Sequence, residues 1–163
     1  KSRNFKIVGE SGHVYGYGKS VWAMIDLDTR HPADILAVRG GLITEYIETE
    51  YPCPIEKSSR VKLSVGATPI RSIDTYYNDV DINGHINSVK YIEHVLDLWD
   101  VAWYKQHCIR RFEIAYVAES HQGDRLHFYQ EGRDSDTDFN VRITKSNRDS
   151  AEVEVCRCRV QFV

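Results

Sequence analysis

No stretch of this sequence approaches the roughly 20 consecutive apolar residues that a membrane-spanning helix needs. The opening KSRNFKIVGE has neither the apolar core nor the small-residue cleavage site of a secretory signal. Basic residues do not outnumber acidic ones: the formal charge is −3, which argues against a nucleic-acid binder, since phosphate neutralisation calls for a basic excess. Cysteine is sparse, and Cys53, Cys108, Cys156 and Cys158 contain no C-x-x-C pair and no zinc-like spacing. Cys156 and Cys158 share one face of an alternating run and are poorly oriented for bridging each other, so all four are expected as reduced thiols in a cytoplasmic protein. Proline is scarce too, and Pro52, Pro54 and Pro69 fall in one span. What remains is globular: 163 residues, 42% apolar and 28% charged, enough for one ordinary domain or two small ones.

Along the chain, Phe5 to Val8 reads as a short strand and Tyr15 to Leu27 as a long one, rich in Tyr, Val, Trp and Ile. Pro32 at a first helical position, Ala33 to Val38, and then Gly40-Gly41 predict a short helix with a glycine stop. From Glu48 to Pro69 the pattern dissolves, and Pro52, Pro54, Lys57-Ser58-Ser59-Arg60 and Pro69 suggest a linker crossing a surface. Ile70 to Tyr77 reads as an entry strand, and Asn87 to Asp100 as a helix. Val89, Ile92, Leu96 and Trp99 keep its helical spacing, while Tyr91, Val95 and Leu98 widen the stripe. So broad an apolar face predicts a helix wrapped by a sheet. Strands follow at Arg111 to Glu119, Arg125 to Glu131, Phe139 to Lys145 and Glu152 to Val163. In the last strand the apolar positions switch from odd (Val153, Val155) to even (Cys156, Cys158, Val160, Phe162), which a bulge or a strong curl would explain.

The two ends share a pattern. FKIV, a turn and YGYGKSVWAMIDL match FNVRI, a turn and EVEVCRCRVQFV. The C-terminal hairpin closes a unit that begins near Ile70. The N-terminal hairpin has no such beginning, and a lone hairpin is marginal in water. The expectation is a tandem repeat whose first copy lacks its opening strand and helix. The alternative is one larger sheet with one helix.

The crowded stretch DVDINGHINSVKYIEHVLDLW, Asp79 to Trp99, carries the densest polar chemistry. A helix N-terminus has unpartnered N–H groups and partial positive charge, which stabilise a carbonyl oxygen gaining charge in acyl transfer. Asn83 and His85 each donate hydrogen bonds, His85 also moves protons, and Asp81 is placed to orient one of them. A second reading stays open: Asn83-Gly84 as a plain turn, with Asp81 or Asn87 capping the helix. Glu119, at the end of the apolar strand IAYVAES, reads either as a general base or as a solvated strand end. His94 reads as a rim residue, and the other histidines, His121 among them, receive no role. Ser120 lacks the G-x-S-x-G context of a serine nucleophile.

These residues resemble the acyl-acyl-carrier-protein thioesterases, in their bacterial branch. The family element D-x-D-x-N-x-H-x-N-N-x-x-Y stands here as Asp79, Asp81, Asn83, His85, Asn87, Ser88 and Tyr91, with Ser88 replacing the second Asn. A tryptophan strand running into Thr-Arg is present as SVWAMIDLDTR, Ser20 to Arg30. The strand-ending Glu-Cys reads Glu119-Ser120. The resemblance implies an α+β protein of paired hot-dog domains, each a curved antiparallel sheet around a long helix. Residues 1–47 would be the later part of an incomplete first domain, 48–69 a linker and 70–163 the second, catalytic domain.

The resemblance also implies catalytic roles for Asp81, Asn83, His85 and Glu119. Because serine is a far poorer nucleophile than a thiolate without a dedicated base, direct attack by water with Glu119 as general base is the expectation. An acyl chain is expected near Val89, Ile92 and Tyr116. The partner is acyl carrier protein bearing a fatty acyl thioester, received by basic groups for which Arg71, Arg110 and Arg111 are candidates. No metal or organic cofactor, nucleic acid or membrane is implied, and a homodimer is possible on exposed strand edges. The competing expectations are an acyl-coenzyme A thioesterase and a non-catalytic acyl-binding or dimerisation module.

Overall fold

The computed structural model describes residues 2–29, 31–64, 66–147 and 151–163. Arg30 of the Thr29-Arg30 pair and the centre of the expected turn at 146–150 lie outside the described residues. The chain divides into two compact units, residues 1–57 and 58–163.

The first unit opens with β1 (Ser2–Val8) and β2 (Val14–Val21), paired antiparallel. Gly12, at φ +82°, supplies the left-handed residue of their turn. β2 is shorter than the sequence suggests. Its register runs out where Val21 meets Ser2, and the next residues fold into a turn held by the Asp26 carboxylate. That group accepts from the Asp28 and Thr29 amides and the Thr29 hydroxyl. The expected helix over 33–38 is also replaced. Pro32 forms a bridge with Ile25, Asp34 caps Leu36, and two short 3-10 stretches within Ile35–Tyr46 flank a kink of non-helical residues at Val38–Gly41. Two adjacent glycines with positive φ favour that break over a continuous helix.

The second unit is a five-stranded antiparallel sheet. It comprises β3 (Arg71–Asp74), β4 (Ile109–Tyr116), β5 (Arg125–Gly132), β6 (Asp138–Ser146) and β7 (Val153–Phe162), in the order β3-β5-β6-β7-β4. Against one face lies α1 (Ser88–Leu96), followed by the single turn α2 (Val101–Tyr104). The sequence anticipates one helix to Asp100. Instead α1 ends at Leu96, and Asp100, in extended conformation, accepts from the Trp103 amide and starts α2.

Alternation assigns the two sheet faces. Leu126, Phe128, Val141, Ile143, Cys156, Cys158 and Val160 turn inward with Val95 and Tyr91 of α1, all of them buried. Each large apolar side chain so buried contributes about 1.5–3 kcal/mol. The buried stripe of α1 is Tyr91 and Val95, flanked by half-buried Leu98; Val89, expected within it, is 51% exposed because it lies on the opposite side of the helix. The outer face carries charge. There a strap of the expected linker crosses the strands: Ser59 bonds Glu113 of β4 and Arg159 of β7, the Lys62 carbonyl accepts from Asn140 of β6, and the Ser64 amide donates to Glu131 of β5. The bulge is present. Ile143 pairs with Cys156 and Thr144 with Glu154, leaving Val155 as the extra residue, so that Val155 and Cys156 are both buried. The result is a sheet around a helix, the arrangement expected of a hot-dog domain.

Candidate active site

The loop from Asp79 to Asn87 is a tight, internally bonded turn. Val80 and Ile86 bridge, the Asp81 amide donates to the His85 carbonyl at 2.8 Å, and Gly84 sits at φ +80°. The Asp81 carboxylate accepts from the Asn83 amide at 2.8 Å and the His85 amide at 3.3 Å. These bonds, the Asn83 amide foremost, hold its carboxyl below the usual carboxylate range. Asp81 therefore shapes the loop that presents Asn83 and His85. Asn87 caps α1 by accepting from the Val89 amide at 3.0 Å, as the capping reading expects.

Glu119 arrives from the β4–β5 connection. It was expected at a strand end, but β4 stops at Tyr116, because the Val117 and Ala118 amides both turn to the carbonyl of bulged Val155. The Ser120 carbonyl then accepts from the Ile86 amide at 2.8 Å, joining this connection to the His85 loop. Across that junction the His85 Nε2 stands 3.4 Å from a Glu119 carboxylate oxygen, with side chains 34% and 53% exposed. A dyad within reach of solvent, one member able to carry a proton either way, is suited to handling a water molecule.

Ser120 points the other way. It is fully buried beside Tyr91, whose phenol burial pushes up to about 12 and the serine slightly eases. Neither hydroxyl completes a well-formed hydrogen bond. Ser120 is buried, while Glu119 and His121 on either side of it are exposed. Nothing in the local sequence pattern singles out His121; its exposure beside buried Ser120 is seen only in the structure. Its ring stands edge-on to His85, centroids 5.1 Å apart at 81°.

His94 lies partly buried, 3.8 Å from Asp79 and edge-on to Phe128; burial lowers its pKa. Tyr116 is half exposed and donates to the Ser88 carbonyl at 3.0 Å, which places it at the start of α1 near Val89, with half-buried Ile92 one turn further on. Among the basic candidates, Arg71 bonds Asp97 and Arg111 pairs with Glu113, while Arg110 stands at the register shift near the start of β4. An open cleft of about 650 Å³ runs past Thr75, Tyr76, Gln122 and Gly123. Its walls do not include His85 or Glu119, so it does not contain the dyad. Among the described residues, no three His, Cys, Asp or Glu side chains gather as a metal cluster.

The profile of the acyl-ACP thioesterase C-terminal domain matches residues 64–162. The chain belongs to the acyl-ACP thioesterase family. An acyl-ACP thioesterase structure from Bacteroides thetaiotaomicron is 45% identical, with a TM-score of 0.87, over 99% of this chain and 62% of that one. A chloroplastic palmitoyl-acyl carrier protein thioesterase from Gossypium hirsutum is 26% identical over 141 residues, 85% of this chain and 34% of the relative. The 12:0-ACP thioesterase from Umbellularia californica, 20% identical with a TM-score of 0.78 over 99% of this chain and 62% of its own, shares the fold. The chain thus spans about a third of the Gossypium thioesterase and 62% of the Bacteroides one. The bacterial likeness and the sheet-around-helix architecture agree with the family and hot-dog expectations.

Proposed function

We propose that this chain carries the reactive centre of a hydrolase for fatty acyl thioesters borne by acyl carrier protein, releasing free fatty acid. The observation that supports it most is the 3.4 Å approach of Glu119 to His85, from two different connections of the second unit. Glu119 acts as general base: it takes a proton from water as the water oxygen attacks the thioester carbonyl. The carbonyl oxygen gains negative charge, and Asn83, His85 and the positive end of α1 stabilise it. The Val89 amide is already engaged by Asn87, so α1 acts there through its dipole. Collapse of the tetrahedral intermediate breaks the C–S bond and expels the carrier's thiolate, which takes up the proton held by Glu119 and restores the carboxylate. Asp81 holds the loop, and Ser120, turned inward, is no nucleophile in this scheme. The acyl chain lies along Val89, Ile92 and Tyr116.

The test is free-thiol release from palmitoyl- and lauroyl-acyl carrier protein by the parent chain and by Glu119→Gln. Loss of a general base lowers turnover by about 10²–10⁴. A Glu119→Gln variant turning over within about threefold of the parent removes Glu119 from the mechanism. The same acyl groups on coenzyme A separate the carrier reading from that of an acyl-coenzyme A thioesterase. A non-catalytic module would bind the acyl groups and release no thiol.

A further inference from the structure

Two facts about His121 stand apart from the residues already given a role. First, its backbone is pinned on both sides although its ring is exposed. The His121 amide donates to the Asp124 carboxylate at 2.9 Å, and its carbonyl accepts from the Thr75 hydroxyl at 2.9 Å and the Asp124 amide at 3.2 Å. Thr75 and Asp124 are buried, and the Asp124 carboxylate also meets the Lys145 ammonium at 3.2 Å. A buried, paired carboxylate spent on one exposed residue's backbone fixes where that residue stands. Second, the ring carried on that pinned backbone meets the His85 ring edge to face at 5.1 Å. Rotation about the outer bond of a histidine side chain is broad, so the backbone alone does not set the orientation of His85. A wall on one side of the ring does. An edge-to-face ring contact is of a size to bias one orientation by a factor of about two to ten.

We infer that His121 is a positioning residue: its ring holds the imidazole of His85 with Nε2 turned to Glu119. The inference rests on the hydrolase reading for its kinetic consequence, but not for the contact itself. His121 and Glu119 come from the same connection, so the segment that brings the carboxylate also brings the wall that aims its partner. Asp81, Asp124 and, through Asp124, Lys145 are charged groups bonded around these two histidines. The first accepts from the His85 amide and the second from the His121 amide, so neither competes for the facing ring surfaces through these bonds.

The experiment compares the parent chain with His121→Ala and His121→Phe, in thiol release from palmitoyl-acyl carrier protein and in the ring resonances of His85 by NMR. His121→Ala is expected to lower kcat by about five- to tenfold, KM staying within about twofold, and to replace one His85 ring environment by an averaged one. His121→Phe keeps an edge-on ring and is expected to recover most of kcat together with the His85 signature. Equal loss in both variants overturns the inference, because it assigns the effect to the imidazole's own chemistry. A change in KM alone also overturns it, in favour of a substrate contact. Unchanged kcat and unchanged His85 resonances in His121→Ala overturn it outright. If the parent chain releases no thiol, the hydrolase reading fails by itself and the resonances decide: a shift in His121→Ala that His121→Phe restores supports the ring contact, and no shift overturns it.

Discussion

The hairpins β1–β2 and β6–β7 are written in nearly the same pattern, yet they are packed very differently. Every residue of β1 is exposed, Phe5 at 52%, and its cross-strand neighbour in β2 is Gly18. In β6 and β7, by contrast, Val141, Ile143, Val155, Cys156, Cys158 and Val160 are shut from solvent entirely. The difference is what lies against them. β6 and β7 have α1 on one face and the strap from Ser59 to Ser64 on the other, and β5 and β4 along their edges. Alternation therefore makes a strand but does not bury it; burial needs a second layer.

The largest contrast should be chemical. Burial pushes the Cys158 thiol up to about 12 and that of Cys156 up as well, whereas Cys108 is exposed and Cys53 half-buried. A disulfide reagent should label Cys108 and Cys53 in the native protein and reach Cys156 and Cys158 slower by about 10³ or more, through unfolding of the second unit. Comparable rates for Cys108 and Cys156 would erase the distinction between the hairpins. Next, Phe128→Ala should cost about 3–5 kcal/mol in urea unfolding, the range for a fully packed aromatic.

Asp138 comes third. Its carboxylate meets Arg159 on the outer face, and the Arg159 hydrogen bonds hold its carboxyl below the usual range. Asp138→Asn should cost about 1.5–3 kcal/mol at neutral pH. Because the folded value is lowered, this stabilisation is present above the ordinary value of 3.8 and is lost as the pH falls from there through the folded value. The Asn variant should therefore show less of that acid loss than the parent, read by urea midpoints from pH 5 down to about 2. Asn87→Ala, which removes the cap of α1, should cost about 1 kcal/mol. Phe5→Ala in β1 should change stability by only about 0.5 kcal/mol or less, and a larger value would show that the first hairpin is covered after all.

How far the sequence carried these conclusions depended on the range of the interaction. The Asn87 cap and the presence of α1 are local, and they were legible, but its buried side follows Tyr91 and Val95 and leaves Val89 exposed. So was the change of face in β7, for which the sequence offered a bulge or a strong curl and the register shows a bulge. The meeting of Glu119 with His85 was anticipated through family resemblance, not from spacing. What local pattern missed was decided by partners elsewhere. β2 ends where its pairing with β1 ends, and the Asp26 turn and Gly40-Gly41 override a helical reading of 33–38. The linker was expected to cross a surface, but the strands that its polar residues bond are distant in sequence and could not be named from it. His121 was one of seven histidines, in a segment without periodicity.

Val155 gives the reactive geometry an unexpected point of vulnerability. Its one carbonyl receives both the Val117 and the Ala118 amides, and it is this shared acceptor that turns the chain out of register after Tyr116. Deleting that single residue would let the neighbouring strands march in step a little further and carry Glu119 off with them. A lesion in the last strand, touching no group that handles protons, would then mimic loss of the carboxylate itself.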